Sequence, residues 1–184
     1  VADGSAVTFT NTSSGPGTIT YSWDFGDGDT SLQRAPVHNY TDSGSYRVTL
    51  TAISNLGCNS YTDTIVWVAP LPVAMFTIDT VCSGSPISLN DQSTIDTGSI
   101  VSWNWQFGNG DSSVAELPIY SYSTFGTFSI GLSVTSDAGC SDSIIRPVIV
   151  KERPDGNFST SNTCVGANVQ FLDQSAVSSI GCCK

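Results

Sequence analysis

Between Gly126 and Val134 the order Gly-Thr-Phe-Ser-Ile-Gly-Leu-Ser-Val sets a large apolar residue at every second position from Phe128, the period of a strand with one buried face. Pro72 to Asp79 alternates similarly and predicts an opening strand, and Ile87-Ser-Leu89 begins a second after the Ser83-Gly-Ser-Pro86 turn. Ser99 to Phe107 predicts a third strand, closed by Gly108-Asn-Gly110, a sequence suited to a tight turn with positive φ. Short strands follow around Ser113 and from Ile119 to Tyr122. The Gly126 strand then turns at Asp137-Ala-Gly139 and returns through Ser143 to Val150. Seven short strands with no helical period predict an all-β fold, an immunoglobulin-like sandwich.

That sandwich is one copy of a tandem repeat. Trp23-Asp-Phe-Gly-Asp-Gly-Asp-Thr-Ser31 returns 82 residues later as Trp105-Gln-Phe-Gly-Asn-Gly-Asp-Ser-Ser113. Tyr40, Gly44, Tyr46, Val48, Leu50, Cys58 and Val68 keep that offset, falling on Tyr122, Gly126, Phe128, Ile130, Leu132, Cys140 and Val150. A third copy begins near Asp155, where Phe158, Cys164, Gly166 and Asp173-Gln-Ser175 repeat Phe76, Cys82, Gly84 and Asp91-Gln-Ser93. Val1 to Val7 aligns on Val81 to Ile87. The expected domains are 1–70, lacking its first strand, 71–153, complete, and 154–184, truncated before its own Trp motif. On this reading the chain is an internal slice of a longer polymer.

Composition and charge narrow the function. Only 12% of residues are charged and the net charge is −10, which repels a polyanion, so nucleic acid is not an expected partner. No stretch approaches the roughly 18 to 20 apolar residues a membrane-spanning helix requires. The N-terminus shows no charged region leading into an apolar run, so any secretion signal or anchor is expected outside this sequence. His38 is the sole histidine, and no cysteine has a histidine near it in sequence or repeat register, so no catalytic constellation is predicted. Closely spaced Cys or His sets of zinc type are missing apart from Cys182 and Cys183.

Trp-Asp-Phe-Gly-Asp-Gly, followed by Pro36-Val-His-Asn-Tyr40 and Gly44-Ser-Tyr-Arg-Val-Thr-Leu50, resembles the polycystic kidney disease (PKD) domain over both longer repeats and part of the third. The second copy departs from that pattern with Gln106 and Asn109 in place of Asp24 and Asp27. The motif reads mainly as structural. Trp23, Phe25, Trp105 and Phe107 are expected in the core, while Gly26, Gly28, Gly108 and Gly110 supply the turn. The alternative is a weak Ca2+ site at Asp24, Asp27 and Asp29. Some PKD-like domains bind calcium through acidic residues in the loop before the third strand, but residues 12–20 contain none. His38 is read as a family strand-edge residue, with Tyr120 in its place in the second copy. No cofactor is expected.

The cysteines are periodic. Cys58 and Cys140 follow the last hairpin's glycine, and Cys82 and Cys164 precede the second strand, a pattern that suggests disulfides in an oxidising compartment. Two schemes stay open, an internal Cys82 to Cys140 staple and a link from the lower loop of one repeat to the upper hairpin of the next. Sandwich topology favours the second. Ala2 stands where Cys82 has its counterpart, so the internal scheme leaves Cys58 without a partner and the linking scheme leaves Cys140 without one. Gly181-Cys-Cys-Lys184 breaks register and suggests a chain end or an uncertain assignment. N-linked acceptor triplets begin at Asn11, Asn39 and Asn157. Thr64, Thr80 and Ser143 sit in triplets that resemble the O-glycosylation motif of Bacteroidetes bacteria, whose large secreted surface proteins carry cysteine-bearing PKD arrays.

The resemblance implies a non-catalytic, extracellular repeat module, a stiff stalk or filament of a cell-surface adhesin, including those of gliding bacteria. Its expected partners are neighbouring repeats, further copies paired through edge strands into fibres, and other surface proteins or glycans. Few residues and a proline join the repeats at Val66 to Pro72 and Val148 to Pro154, which predicts little bending. The alternative is a spacer or accessory module of a secreted polysaccharide- or protein-degrading enzyme.

Overall fold

A computed structural model describes residues 6–161 and 164–176, all strand, turn or irregular backbone. Among them no helix is long and apolar enough to cross a membrane. The chain divides into two compact units, Val1–Val73 with Thr94–Val101 and Thr135–Asp142, and Ala74–Ser93 with Ser102–Val134 and Ser143–Lys184.

The first repeat contains β1 (Ala6–Thr8), β2 (Ile19–Asp24), β3 (Thr30–Ser31), β4 (Val37–Asn39), β5 (Gly44–Ser54) and β6 (Asn59–Val68). β3, β2, β5 and β6 form one antiparallel sheet in that order, and β1 pairs antiparallel with β4. Register sets Trp23 opposite Leu50 and Gly44 opposite Val68. Because side chains alternate across a strand, Trp23, Val48 and Leu50 turn inward onto Phe9, Phe25, Tyr40 and Val68. Fully burying one such side chain contributes about 1.5–3 kcal/mol, so these few positions carry much of a small sandwich's hydrophobic stabilisation.

The second repeat contains β7 (Phe76–Thr77), β8 (Val81–Cys82), β9 (Pro86–Ser88), β10 (Asn90–Asp91), β11 (Ile100–Gln106), β12 (Ser112–Ser113), β13 (Ile119–Ser121), β14 (Gly126–Ser136) and β15 (Ser141–Lys151). Its larger sheet runs β12-β11-β14-β15-β8, and β13-β9 and β10-β7 form two-stranded ladders. The inward row Ile130, Leu132 and Val134 of β14 is buried with Phe76, Leu89, Trp105, Phe107 and Val148. In the third copy β16 (Phe158–Thr160) pairs with β17 (Phe171–Asp173).

The all-β, immunoglobulin-like expectation is met, with two local differences. The opening segment divides: β7 pairs with β10, whereas β8 pairs in parallel with the end of β15, Val81 opposite Val150 and Cys82 opposite Lys151. Pro72 and Ser85-Pro86 flank this segment, and Gly84 takes φ of 74° between them, so the chain changes sheets instead of running straight. The supposed linkers also begin as strand, β6 reaching Val68 and β15 reaching Lys151. Their apolar alternation continues the sheet pattern up to the proline-containing segment.

Candidate functional site

The Trp-Asp-Phe-Gly-Asp-Gly segment leaves β2 and closes on β3 through a turn held from inside. The Phe25 amide donates to the Asp29 carbonyl at 3.1 Å, as Phe107 does to Asp111 at 3.0 Å. Asp24 Oδ1 accepts the Gly26 N–H and Asp27 Oδ1 the Asp29 N–H, at 2.9 and 3.1 Å. Asn109 accepts from Asp111 in the same way at 3.2 Å, so the second copy keeps the turn without the carboxylate. Gly26 and Gly108 have φ of 83° and 78° and lie close to the neighbouring strand. A Cβ there would stand 2.7 Å from the Arg47 carbonyl oxygen or 2.5 Å from that of Ser129.

The aromatic positions repeat atom for atom. Trp23 Nε1 donates to the Gln33 carbonyl and Trp105 Nε1 to that of Ala115, both at 3.0 Å. The Tyr40 hydroxyl donates to the Phe25 carbonyl at 3.0 Å, and Tyr122 to Phe107 at 2.7 Å. Burial pushes both phenols up to about 12, Tyr40 with added repulsion from Asp27 and Tyr46, Tyr122 with added repulsion from Tyr120.

One pair escaped the sequence reading. His38 on β4 stacks on Phe25, ring centroids 4.1 Å apart, and points Nε2 at Asp27 Oδ2 at 2.6 Å. Tyr120 on β13 stacks on Phe107 at 3.9 Å, donates its hydroxyl to Asp111 Oδ2 at 2.5 Å and accepts from Asn109 Nδ2 at 2.6 Å. An Asp–His pair in one copy is thus replaced by an Asn–Tyr–Asp cluster in the other, on the same backbone. The available signal was that both partners differ together between the copies. Desolvation pushes the Asp27 carboxyl up, but the hydrogen bond from His38, the Asp29 amide and the imidazole charge outweigh it and hold it below the usual range.

Asp27, Asp29 and His38 bring ligand atoms within 4.8 Å of one another. The sequence grouping was Asp24, Asp27 and Asp29, and in the structure Asp24 turns one oxygen onto the Gly26 amide while His38 joins the other two. Carboxylates are absent from residues 12–20, and Asp27 already engages both oxygens with protein donors. The acidic loop through which some PKD-like domains bind calcium is thus not formed by residues 12–20.

No disulfide joins any two of Cys58, Cys82, Cys140 and Cys164. Cys82 pairs with Lys151 at the end of β15 whose other end follows Cys140 directly, so the whole strand lies between them. That strand spans on the order of 30 Å, far outside the roughly 7 Å reach of a disulfide. Cys58 and Cys164 are exposed and Cys140 is buried. Among the acceptor positions Asn39, Asn157, Thr64, Thr80 and Ser143 are exposed, while Asn11 has its Nδ2, the atom an N-glycan joins, buried. Cys182, Cys183 and the stretch 181–184 lie outside the described residues.

The family model for the PKD domain matches residues 1–69 and 67–150. The chain belongs to the PKD domain family. A PKD domain is a non-catalytic, immunoglobulin-like module. The chain is 31% identical over 140 residues to the pre-pro-metalloprotease PrtV of Vibrio cholerae, a match covering 74% of this chain and 15% of that protein. It is 46% identical over 50 residues to collagenase ColQ1 of Bacillus cereus, covering 27% of this chain and 5% of the collagenase. The solved PKD1 domain of Vibrio anguillarum Epp is 34% identical, with a TM-score of 0.42 over 45% of this chain and 96% of that domain. The chain thus spans only a small part of the curated relatives it matches.

Proposed function

We propose that this chain is a tandem PKD accessory region of a secreted protein-degrading enzyme, spacing a catalytic domain from other parts of the polypeptide. The observation that carries this reading is the match to a pre-pro-metalloprotease along 74% of the chain, reinforced by a shorter match to a collagenase. A pre-pro precursor is the type of protein that leaves the cell, which agrees with an extracellular setting. Sandwiches of this kind suit a spacer, because both longer repeats hold the Trp turn with their own backbone hydrogen bonds. The surface-stalk reading draws on the tandem copies and short proline-bearing connections, but both features serve a spacer equally well.

The test is to isolate the natural polypeptide with an antibody to this region, map its full sequence by mass spectrometry and assay it on casein and gelatin. Proteolysis by the full polypeptide, with a catalytic domain mapped in it and no activity in the tandem region alone, is expected. A polypeptide of many PKD copies at the same period and no catalytic domain would replace this reading with the stalk.

A further inference from the structure

The turn of the second repeat holds the one Asn-Gly pair of the sequence, Asn109-Gly110, and both residues are exposed. Gly110 has φ of 101°, a Cβ built on it would meet nothing within 4 Å, and no described residue accepts from its amide. The nitrogen is therefore open to its own neighbour. Asn109 Cγ lies a short covalent path away, through Cβ, Cα and the main-chain carbonyl carbon, so a bond between Cγ and the Gly110 nitrogen closes a five-membered ring. An attack within one molecule has a high effective concentration.

Two neighbours act on the atoms that would change. The Asp111 amide donates to Asn109 Oδ1 at 3.2 Å, where negative charge develops once Cγ is attacked. The Tyr120 hydroxyl accepts from Asn109 Nδ2 at 2.6 Å and donates to Asp111 Oδ2 at 2.5 Å. When Cγ becomes tetrahedral, Nδ2 regains its lone pair, and the phenol has only to turn its proton from Asp111 to that nitrogen. Burial first, and then the bond to Asp111, push the Tyr120 phenol above its ordinary 10.0 against the opposing donation from Asn109, so the proton is on the oxygen at neutral pH. Stacking on Phe107 at 3.9 Å holds the hydroxyl at this place. The first repeat builds the same turn on Asp27-Gly28, with His38 in the position of Tyr120, and Asp27 has no amine to lose.

We infer that Asn109 is a self-modification site, which loses its side-chain nitrogen to attack by the Gly110 amide, with the Asp111 amide holding the oxyanion and Tyr120 protonating the leaving group. The Gly110 N–H proton passes to hydroxide, the bond from Gly110 N to Cγ forms, and the Cγ–Nδ2 bond breaks. Nδ2 departs as ammonia with the Tyr120 proton, which water restores. Water then opens the ring. Opening at Cγ leaves aspartate, the residue that Asp27 supplies in the first copy, and keeps the turn. Opening at the main-chain carbonyl leaves isoaspartate, whose extra methylene in the backbone breaks the hydrogen bond from the Phe107 amide to the Asp111 carbonyl.

The test incubates the full chain, folded and in urea at matched pH and temperature, and follows position 109 by peptide mapping, with hydroxylamine cleavage to trap the ring. Conversion is expected at position 109 ahead of every other asparagine, about tenfold faster in the folded chain than in urea. Tyr120→Phe keeps the stacked ring and removes the proton donor, so it should slow conversion about tenfold, whereas loss of a mere tether would speed it. The comparison with urea uses the unaltered chain and stands whether or not that variant folds. An Asn109 that keeps its amide in the folded chain, or converts no faster there than in urea, overturns the inference, because the turn then shields the pair instead of driving the reaction. Conversion that is unchanged or faster in folded Tyr120→Phe overturns the role of Tyr120 as proton donor.

Discussion

Gly108 and Gly110 stand two residues apart in one turn and answer to different constraints. Both have positive φ, 78° and 101°, but a Cβ on Gly108 would meet the Ser129 backbone at 2.5 Å and one on Gly110 would meet nothing within 4 Å. Gly110→Ala should therefore cost only the backbone conformation, about 1 kcal/mol, and Gly108→Ala about 3 kcal/mol once the strand has to move. Urea unfolding of the two variants measures the difference, and equal losses would remove the collision as its cause. The role of these glycines was legible because a turn between two strands makes its demand locally. The partnership of Asp27 with His38 was not, since it depends on the β1-β4 ladder bringing a residue 11 positions away onto the turn. The swap to Asn109 and Tyr120 keeps a stacked ring and a polar tether at this place while the imidazole–carboxylate pair gives way to a phenol held between Asn109 and Asp111.

The strands with the longest alternation, β5, β14 and β15, followed the sequence pattern closely, because a one-residue slip would turn every buried side chain outward. The opening segment did not, since two-residue strands carry almost no periodicity and β8 takes its partner from the far end of β15. This pairing decides the chemistry of the cysteines. With Cys82 beside Lys151 and Cys140 just before Ser141, a bond between them would demand that an 11-residue strand be abandoned. Non-reducing peptide mapping of the protein oxidised while folded is expected to show no Cys82–Cys140 peptide, whereas mapping after oxidation in urea should show it. Recovery of that peptide from the folded protein would refute the β8-β15 pairing.

Two copies of one framework with different charges in the turn form an internal control for the whole chain, which carries a net charge of −10. The tyrosine that ties the core to the turn is common to both repeats, and burial holds Tyr40 and Tyr122 at about 12. A folded pKa raised above the unfolded value of 10.0 means that the folded state keeps its proton longer. The stability it supports is complete below pH 10 and declines from there towards about 12. The carboxylate paired with imidazole belongs to the first repeat alone. Asp27 is held below its ordinary 3.8, so its contribution is present above that value and is lost as the pH falls through the lower folded pKa. Residue-resolved hydrogen exchange against pH should therefore show both repeats loosening together between pH 10 and 12, but an additional acid weakening below about pH 4 in the first repeat. Asp27→Asn should reduce that additional acid response, leaving the share of Asp63 beside Arg47, and keep the alkaline one in place, because Asn109 already shows that an amide can hold the turn. An acid response of equal size in both repeats of the unaltered chain would assign it to carboxylates outside the turn, and the Asp27–His38 pair would then be a feature of geometry without consequence for stability.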